Sequence, residues 1–201
     1  MNKEALIVVD IQNDFLPGGA LAVNHGDEIV PIVNELMERF DLVVATQDWH
    51  PADHGSFAAN HEGKKVGELI DLNGLPQIMW PVHCVQESKG AEFARSLNTS
   101  KFKKVFQKGT DATIDSYSGL FDNGKRKSTG LGEYLKAEGV EKVTVVGLAA
   151  DYCVKFTALD AKEFGFEVVL TVAGTRAVNL RPGDFEKALK ELERAGVEVR
   201  R

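Results

Sequence analysis

The chain has 201 residues, of which 43% are hydrophobic, and its formal net charge is −6 at neutral pH. This length supports one well-buried core and is short for two ordinary domains. The acidic balance, without long blocks of like charge, excludes nucleic acid and anionic membrane surfaces as expected partners.

The first apolar run, residues 5–9, is too short for a signal peptide or a membrane span, and it ends at Asp10. We therefore expect a soluble protein located in the cytoplasm. The chain has two cysteines, Cys84 and Cys153. In that compartment we expect reduced thiols, with a disulfide between them as the open alternative.

Apolar runs and helical patterns alternate along the chain. In chain order, they predict a strand at 6–9, a helix at 28–40, strands at 42–45 and 105–107, a helix at 131–138, a strand at 143–146, a helix at 152–164, a strand at 167–172, a helix at 183–195 and a strand at 197–199. Strands separated by helices indicate parallel crossover units. The predicted fold is α/β, with a mostly parallel central sheet in a three-layer α/β/α arrangement.

Residues 49–104 lack this alternation and are rich in Pro, Gly, His and Asn. A long irregular stretch inside a compact domain is usually functional or disordered, and the tryptophans and histidines in this one argue against disorder. We predict a single domain spanning residues 1–201, with an irregular insertion at about 49–104 that carries a metal site.

Four chemically active side chains follow predicted strands: Asp10, Asp48, Lys108 and Cys153. Ligands of parallel sheets bind outside the carboxyl ends of the strands, so these side chains are candidates for one site. Cys153 also lies in the first turn of a predicted helix that Asp151 can cap, where free N–H groups favour a thiolate and can hold an oxyanion. Asp10, Lys108 and Cys153 would then supply a base, a cation and a nucleophile. Taken singly, a turn-forming aspartate, a surface lysine and a buried structural cysteine are the simpler interpretations.

A second cluster lies in QDWHPADHGSF, residues 47–57, and in WPVHC, residues 80–84. Asp48 and His50 are two residues apart, so an extended chain points both to the same side. His54 and His83 are the further candidates. Carboxylate and imidazole ligands suit Zn²⁺, Fe²⁺ or Mn²⁺, whereas each histidine alone is more often a hydrogen-bonding residue.

Several common functional motifs are absent from the sequence. It contains no G-x-S-x-G elbow, no G-x-G-x-x-G, no G-x-x-x-x-G-K-[ST] and no C-x-x-C. Serine-hydrolase, nucleotide-binding and thiol-redox functions therefore have little support.

Five segments occur together in the order VVDIQNDFLPGGAL, ATQDWHPADHGSF, WPVHCVQ, KGTDATIDSYSGLFDN and GLAADYCVKFTALDA. With them the chain resembles, over nearly its whole length, the nicotinamidases (or pyrazinamidases) of the isochorismatase-like cysteine hydrolases. The resemblance implies the isochorismatase-like hydrolase fold and a catalytic triad of Asp10, Lys108 and Cys153.

The same resemblance implies one divalent metal ion held by Asp48, His50 and His83. His54 would be a further ligand or a contact of metal-bound water. Zn²⁺ is the expected ion, with Fe²⁺ or Mn²⁺ as alternatives.

The implied substrate is nicotinamide, which would be converted to nicotinate and ammonia for NAD salvage, with pyrazinamide as a second substrate. Phe15 and Trp80 would flank the ring, and Tyr117 would line the pocket. A cis peptide between Leu148 and Ala149 would direct the Ala149 N–H, together with that of Cys153, at the carbonyl oxygen.

Two alternatives remain at this stage. One is another isochorismatase-like hydrolase that acts on a different small amide or carbamoyl compound. The other is a metal-binding scaffold without thiol reactivity. Either a monomer or a homo-oligomer is compatible with the sequence.

Overall fold

The computed structural model describes residues 3–201. Its strands and helices are, in chain order, β1 (Lys3–Val9), α1 (Ile29–Met37), β2 (Leu42–Asp48), β3 (Leu69–Leu72), β4 (Leu75–Ile78), β5 (Lys104–Lys108), α2 (Leu131–Ala137), β6 (Val140–Leu148), α3 (Cys153–Glu163), β7 (Glu167–Arg176), α4 (Asp184–Arg194) and β8 (Glu198–Arg200). Short 3₁₀ turns join several of them in the first half of the chain.

The central sheet has six strands in the order β5-β2-β1-β6-β7-β8, and every neighbouring pair is parallel. This confirms the predicted α/β fold. The chain builds outward from β1 to β2 and β5, then returns to the other side of β1 with β6. The carboxyl ends of β1 and β6 therefore flank a topological switch point, where a crevice for ligands is expected.

Side chains that alternate along β1 separate two apolar layers. Ile7 faces a cluster that includes residues of α2, α3 and α4. Leu6 faces the other cluster, which includes residues of α1 and of the irregular stretch before β5. Because both faces are covered, the central strands are continuously apolar, as parallel strands usually are.

The stretch between β2 and β5 contains a small antiparallel hairpin, β3–β4, that the sequence analysis did not predict. Its strands have only four residues each and are mostly exposed or half-buried, so they lack a clear apolar alternation. The rest of the stretch is anchored by Ala91, Ala94 and Leu97, which are buried in the apolar layer beside α1.

Both cysteines, Cys84 and Cys153, are free thiols. Within residues 3–201, no helix combines the length and the apolar character that crossing a membrane requires.

Candidate active site

The four side chains predicted to meet at strand ends do meet there. Asp10 follows β1 in a left-handed conformation, with φ of 47°. Asp48 and Lys108 close β2 and β5 and are direct partners in the sheet register. Cys153 is the first residue of α3, just beyond β6. The parallel sheet therefore converts four distant sequence positions into one cluster at its carboxyl edge.

Lys108 is at the centre of this cluster, with only 2% of its surface exposed. Its Nζ lies 2.6 Å from Asp48 Oδ1, 2.9 Å from Asp10 Oδ2 and 3.4 Å from Cys153 Sγ. It also donates to the carbonyl oxygen of Ser116 at 2.9 Å. A buried ammonium needs such partners, and here two carboxylates balance its charge.

The two carboxylates have opposite pKa shifts. Burial would raise the pKa of Asp48, but the Lys108 ammonium and His50 outweigh it and hold that pKa well below its usual value. Burial also acts on Asp10, and there it prevails over Lys108, so the pKa of Asp10 is raised. Asp48 therefore stays ionised, and Asp10 is the carboxylate suited to accept a proton.

At Cys153, burial opposes the effect of the helix start, which favours a thiolate. Burial raises its pKa well above the usual value, with Lys108 opposing and Asp10 reinforcing the shift. Burial therefore favours the thiol form of Cys153, and a nearby base is needed to activate it. The pKa of Lys108 is raised instead: burial lowers it, but Asp10 and Asp48 together outweigh burial.

Asp10 has one carboxylate oxygen in a fixed hydrogen bond and one with spare capacity. Oδ1 accepts a hydrogen bond from Thr46 Oγ1 at 2.6 Å. Oδ2 contacts the Lys108 ammonium, yet within residues 3–201 no donor makes a well-directed hydrogen bond to it. Oδ2 is therefore the atom available for the thiol proton of Cys153.

The peptide bond between Leu148 and Ala149 is cis, as the resemblance implied. In the described part of the chain, neither the Ala149 N–H nor the Cys153 N–H donates a hydrogen bond. Both residues line the same cavity. Two unused backbone donors beside the Cys153 sulfur match what an oxyanion hole needs.

The predicted capping role of Asp151 is wrong. No side chain caps α3. The Asp151 carboxylate instead accepts hydrogen bonds from the backbone N–H groups of Val178 and Asn179, at 2.9 and 2.8 Å. Asp151 thus anchors the loop after β7 through these hydrogen bonds, and Val178 of this loop lines the cavity.

The cavity at this edge contains about 350 Å³ of empty space, part of which is open to solvent. Its walls are mostly apolar and include the three predicted ring contacts, Phe15, Trp80 and Tyr117. Sequence reasoning missed Tyr152 and Val178, which also line it. Tyr152 precedes the candidate nucleophile and could have been proposed from that position, whereas nothing in the sequence around Val178 indicates a site.

Three predicted metal ligands converge at one end of the cavity. Asp48 Oδ2 lies 3.3 Å from His50 Nε2 and 3.6 Å from His83 Nε2. Donor atoms around a tetrahedral zinc ion are about 3.3 Å apart, so these three atoms fit a small divalent ion. The other ring nitrogens are occupied: Nδ1–H of His50 donates to the Gly109 carbonyl at 2.9 Å, and Nδ1–H of His83 to the Pro81 carbonyl at 2.7 Å. These bonds direct both Nε2 lone pairs at the same point.

His54 lies beside this group in a different environment. Its ring is 4.3 Å from that of His50, and it shares a second possible ligand group with His50 and Asp115. Nδ1 lies 2.7 Å from Ser56 Oγ and 3.2 Å from the Ser56 backbone nitrogen, whereas the buried Nε2 has no partner within residues 3–201. Burial, reinforced by His50, lowers the pKa of His54 to about 4, so the ring is neutral.

Fold and site together are those of a hydrolase built on a parallel α/β sheet. The sequence profile described as the isochorismatase domain matches residues 4–201, and the chain belongs to the isochorismatase family. Among curated proteins, the chain is 46% identical over 200 residues to the nicotinamidase of Escherichia coli (strain K12), across 98% of this chain and 93% of that protein.

Solved structures give the same result. The Acinetobacter baumanii nicotinamidase/pyrazinamidase superimposes with a TM-score of 0.96 at 43% identity, covering 100% of this chain and 97% of that one. The pyrazinamidase of Pyrococcus horikoshii, solved in complex with zinc, superimposes with a TM-score of 0.80 at 39% identity, covering 98% of each chain.

Proposed function

We propose that this chain is a nicotinamidase, an amidohydrolase that converts nicotinamide to nicotinate and ammonia and so contributes to NAD salvage. The observation that carries the proposal is the convergence of Asp10, Lys108 and Cys153 in one cavity, with Asp48 linking them to a group that can hold a divalent ion. The high similarity to nicotinamidases over nearly the whole chain supports it.

We assign substrate binding to the apolar walls of the cavity and to the metal group, which is the cluster of Asp48, His50 and His83. Phe15, Trp80 and Tyr117 would enclose the flat pyridine ring and bury its apolar surface. Asp48, His50 and His83 would hold one divalent ion, with Zn²⁺ expected first and Fe²⁺ or Mn²⁺ as alternatives. When bound, the ion supplies a Lewis-acid position for the ring nitrogen.

His54 receives a separate role. Its Nδ1 lies 3.2 Å from the Ser56 backbone nitrogen and 2.7 Å from Ser56 Oγ, so Nε2 is the ring nitrogen without a protein partner in the described residues. We therefore propose His54 as a further contact of the metal group, either to the ion or to a water bound to it.

The first half of the reaction forms a thioester. Asp10 Oδ2 takes the Cys153 proton as the sulfur attacks the carboxamide carbon. The carbonyl oxygen then becomes an oxyanion, held by the N–H groups of Ala149 and Cys153. Lys108 stays charged throughout and stabilises the anionic states. As the C–N bond breaks, Asp10 returns the proton to the nitrogen, and ammonia leaves.

The second half hydrolyses the thioester. Asp10, again a carboxylate, removes a proton from water, and the resulting hydroxide adds to the acyl carbon. When the C–S bond breaks, the sulfur recovers the proton from Asp10. Nicotinic acid leaves and ionises to nicotinate by releasing its proton to the solvent, and the thiol of Cys153 and the carboxylate of Asp10 are restored.

The decisive test is ammonia release from nicotinamide by the wild type and by two cysteine variants. Cys153→Ala removes the nucleophile, and we expect kcat to fall by at least about 10³-fold while bound metal is unchanged. Cys84→Ala is the matched control, since Cys84 is also a buried free thiol, and we expect it to retain activity within about threefold. Appreciable turnover by Cys153→Ala would contradict covalent catalysis.

The same assay distinguishes the alternative of another small amide or carbamoyl substrate. A panel of nicotinamide, pyrazinamide, benzamide and N-carbamoyl compounds should give the highest kcat/KM with the two amides that carry a ring nitrogen meta to the carboxamide. A higher kcat/KM with a carbamoyl compound would favour the alternative.

A further inference from the structure

The backbone of Asp48 lies where strand pairing on one side has ended. β1 pairs with β2 only as far as Val9 and Thr46, because Asp10 turns away in its left-handed conformation. The last backbone hydrogen bond on that side joins Asp10 N–H to the Thr46 carbonyl at 3.3 Å. Asp48, two residues further along β2, has its N–H and carbonyl facing the same side without a strand partner there.

The side chain of Gln12 fills this gap. Its Oε1 accepts the Asp48 backbone N–H at 2.8 Å, and its Nε2 donates to the Asp48 carbonyl at 2.8 Å. The amide thus reproduces the pair of hydrogen bonds that a continued β1 would make. Nε2 also donates to the Ala91 carbonyl at 2.9 Å, so both amide hydrogens are used and the orientation of the amide is fixed. Gln12 is fully buried.

Asp48, which Gln12 holds in this way, contacts both the Lys108 ammonium and the two metal-group histidines. Asp48 Oδ1 contacts Lys108 Nζ at 2.6 Å, and Oδ2 faces the Nε2 atoms of His50 and His83. A displacement of the Asp48 backbone therefore alters both the metal group and the Lys108 ammonium beside Cys153.

We propose that Gln12 is a positioning residue that fixes Asp48 by replacing the missing strand and thereby sets the geometry of the metal group and the Asp10–Lys108–Cys153 group together. Gln12 does not contact the cavity; it acts through Asp48. The proposal rests on the proposed roles of Asp48 and Cys153.

The chain offers a matched control in Gln47. It is also buried, and its Nε2 donates to the same Ala91 carbonyl at 3.0 Å. It neighbours Asp48 in sequence but makes no side-chain hydrogen bond to it within the described residues. Gln47→Glu therefore places a carboxylate oxygen against the same Ala91 carbonyl but leaves both hydrogen bonds between Gln12 and the Asp48 backbone in place.

Two Gln12 variants test the proposal. Gln12→Glu keeps the size of the side chain and the oxygen that accepts the Asp48 N–H. It replaces the donor Nε2 by a carboxylate oxygen, which then faces the carbonyl oxygens of Asp48 and Ala91. Gln12→Asn keeps the amide but is one methylene too short to reach both Asp48 groups. Three properties are measured: the Zn²⁺ dissociation constant by chelator competition, the rate of Cys153 alkylation by iodoacetamide in metal-free protein with peptide mapping, and the Tm of the metal-free protein.

We expect both Gln12 variants to raise the Zn²⁺ dissociation constant about 10- to 100-fold and to change the alkylation rate of Cys153 at least about threefold. Gln47→Glu should leave both within about twofold. Equal Zn²⁺ affinities and alkylation rates in the Gln12 and Gln47 variants, with equal losses of Tm, would reduce Gln12 to a structural residue and overturn the proposal. If Gln12→Glu does not fold, the comparison of Gln12→Asn with Gln47→Glu decides.

Failure of the wild type to release ammonia from nicotinamide would contradict the proposed function but leave the Zn²⁺ and alkylation comparison valid.

Discussion

Asp10 and Asp48 are two buried carboxylates that share one ammonium group, and their surroundings give them different tasks. One carboxylate oxygen of Asp48 contacts Lys108 and the other faces two histidines, so both oxygens have partners. Asp10 has a fixed Oδ1 and an Oδ2 with spare capacity. The pair resembles other sites in which neighbouring carboxyl groups differ in pKa because their environments differ.

This difference predicts an acid limit of activity. Asp10 must be ionised to accept the thiol proton, so activity is present above its pKa and lost as the pH falls through it. Because that pKa is raised, the acid limb of kcat/KM for nicotinamide should lie above the ordinary aspartate value of 3.8. The rate of ammonia release measured across a pH series gives the acid limb of kcat/KM. Circular dichroism over the same range establishes that the chain stays folded. A limb at or below 3.8 in folded protein would contradict the assignment of Asp10 as the base.

At the scale of elements, the ends of strands and the loops that follow them form the site. Lys108 closes β5, and the next residue, Gly109, turns back with φ of 63° so that its carbonyl accepts the Nδ1–H of His50. The backbone of one strand end therefore orients a metal-group histidine from another. A side chain at Gly109 has no room, because its Cβ would lie 2.3 Å from Cε1 of His50.

Gly109→Ala should therefore displace His50. We expect the Zn²⁺ affinity to fall at least about tenfold, because the clash is with a ring that holds the ion. Gly74→Ala is the control: Gly74 has φ of 86° and nothing within 4 Å of the added Cβ, so it bears the same backbone cost without a clash. Metal content after dialysis and Tm measure both variants. Equal metal content in the two would show that the clash at His50 is relieved elsewhere.

The sequence was sufficient for the parallel sheet and for the strand-end positions of Asp10 and Lys108, because continuous apolar runs and their polar ends are local signals. It was insufficient where long-range contacts decide. Asp151 looked like a helix cap, but a loop distant in sequence supplies its partners. The place of Cys153 at a helix start favours a thiolate, but burial by the whole fold raises the pKa of the thiol, and the sequence alone does not show that burial.

At the scale of the whole molecule, the metal group joins the end of a central strand to the irregular stretch before β5. Asp48 closes a central strand, whereas His83 lies in the irregular stretch before β5, which has little regular structure of its own. An ion held by both stabilises the folded state, because the unfolded chain does not present the same set of ligands.

Removing the metal should therefore lower stability as well as activity. At a free metal concentration about 100 times the dissociation constant, binding contributes about 2.7 kcal/mol. For a chain of this length, that corresponds to a Tm about 5–10 °C higher with Zn²⁺ than with a chelator. His83→Ala should abolish the difference, and its Tm should be the same in both conditions. A wild-type Tm that does not respond to chelator would contradict the assignment of these residues to a metal site.

The strand order also determines when the site first exists during synthesis. β1 carries Asp10 and emerges from the ribosome early, but its second neighbour in the sheet is β6, and Cys153 follows only after that strand. A nascent chain that stops short of α3 has the acid and the amine without the sulfur. Chains abandoned during translation at such points therefore contain both partners of the ammonium–carboxylate pair but lack the proposed nucleophile.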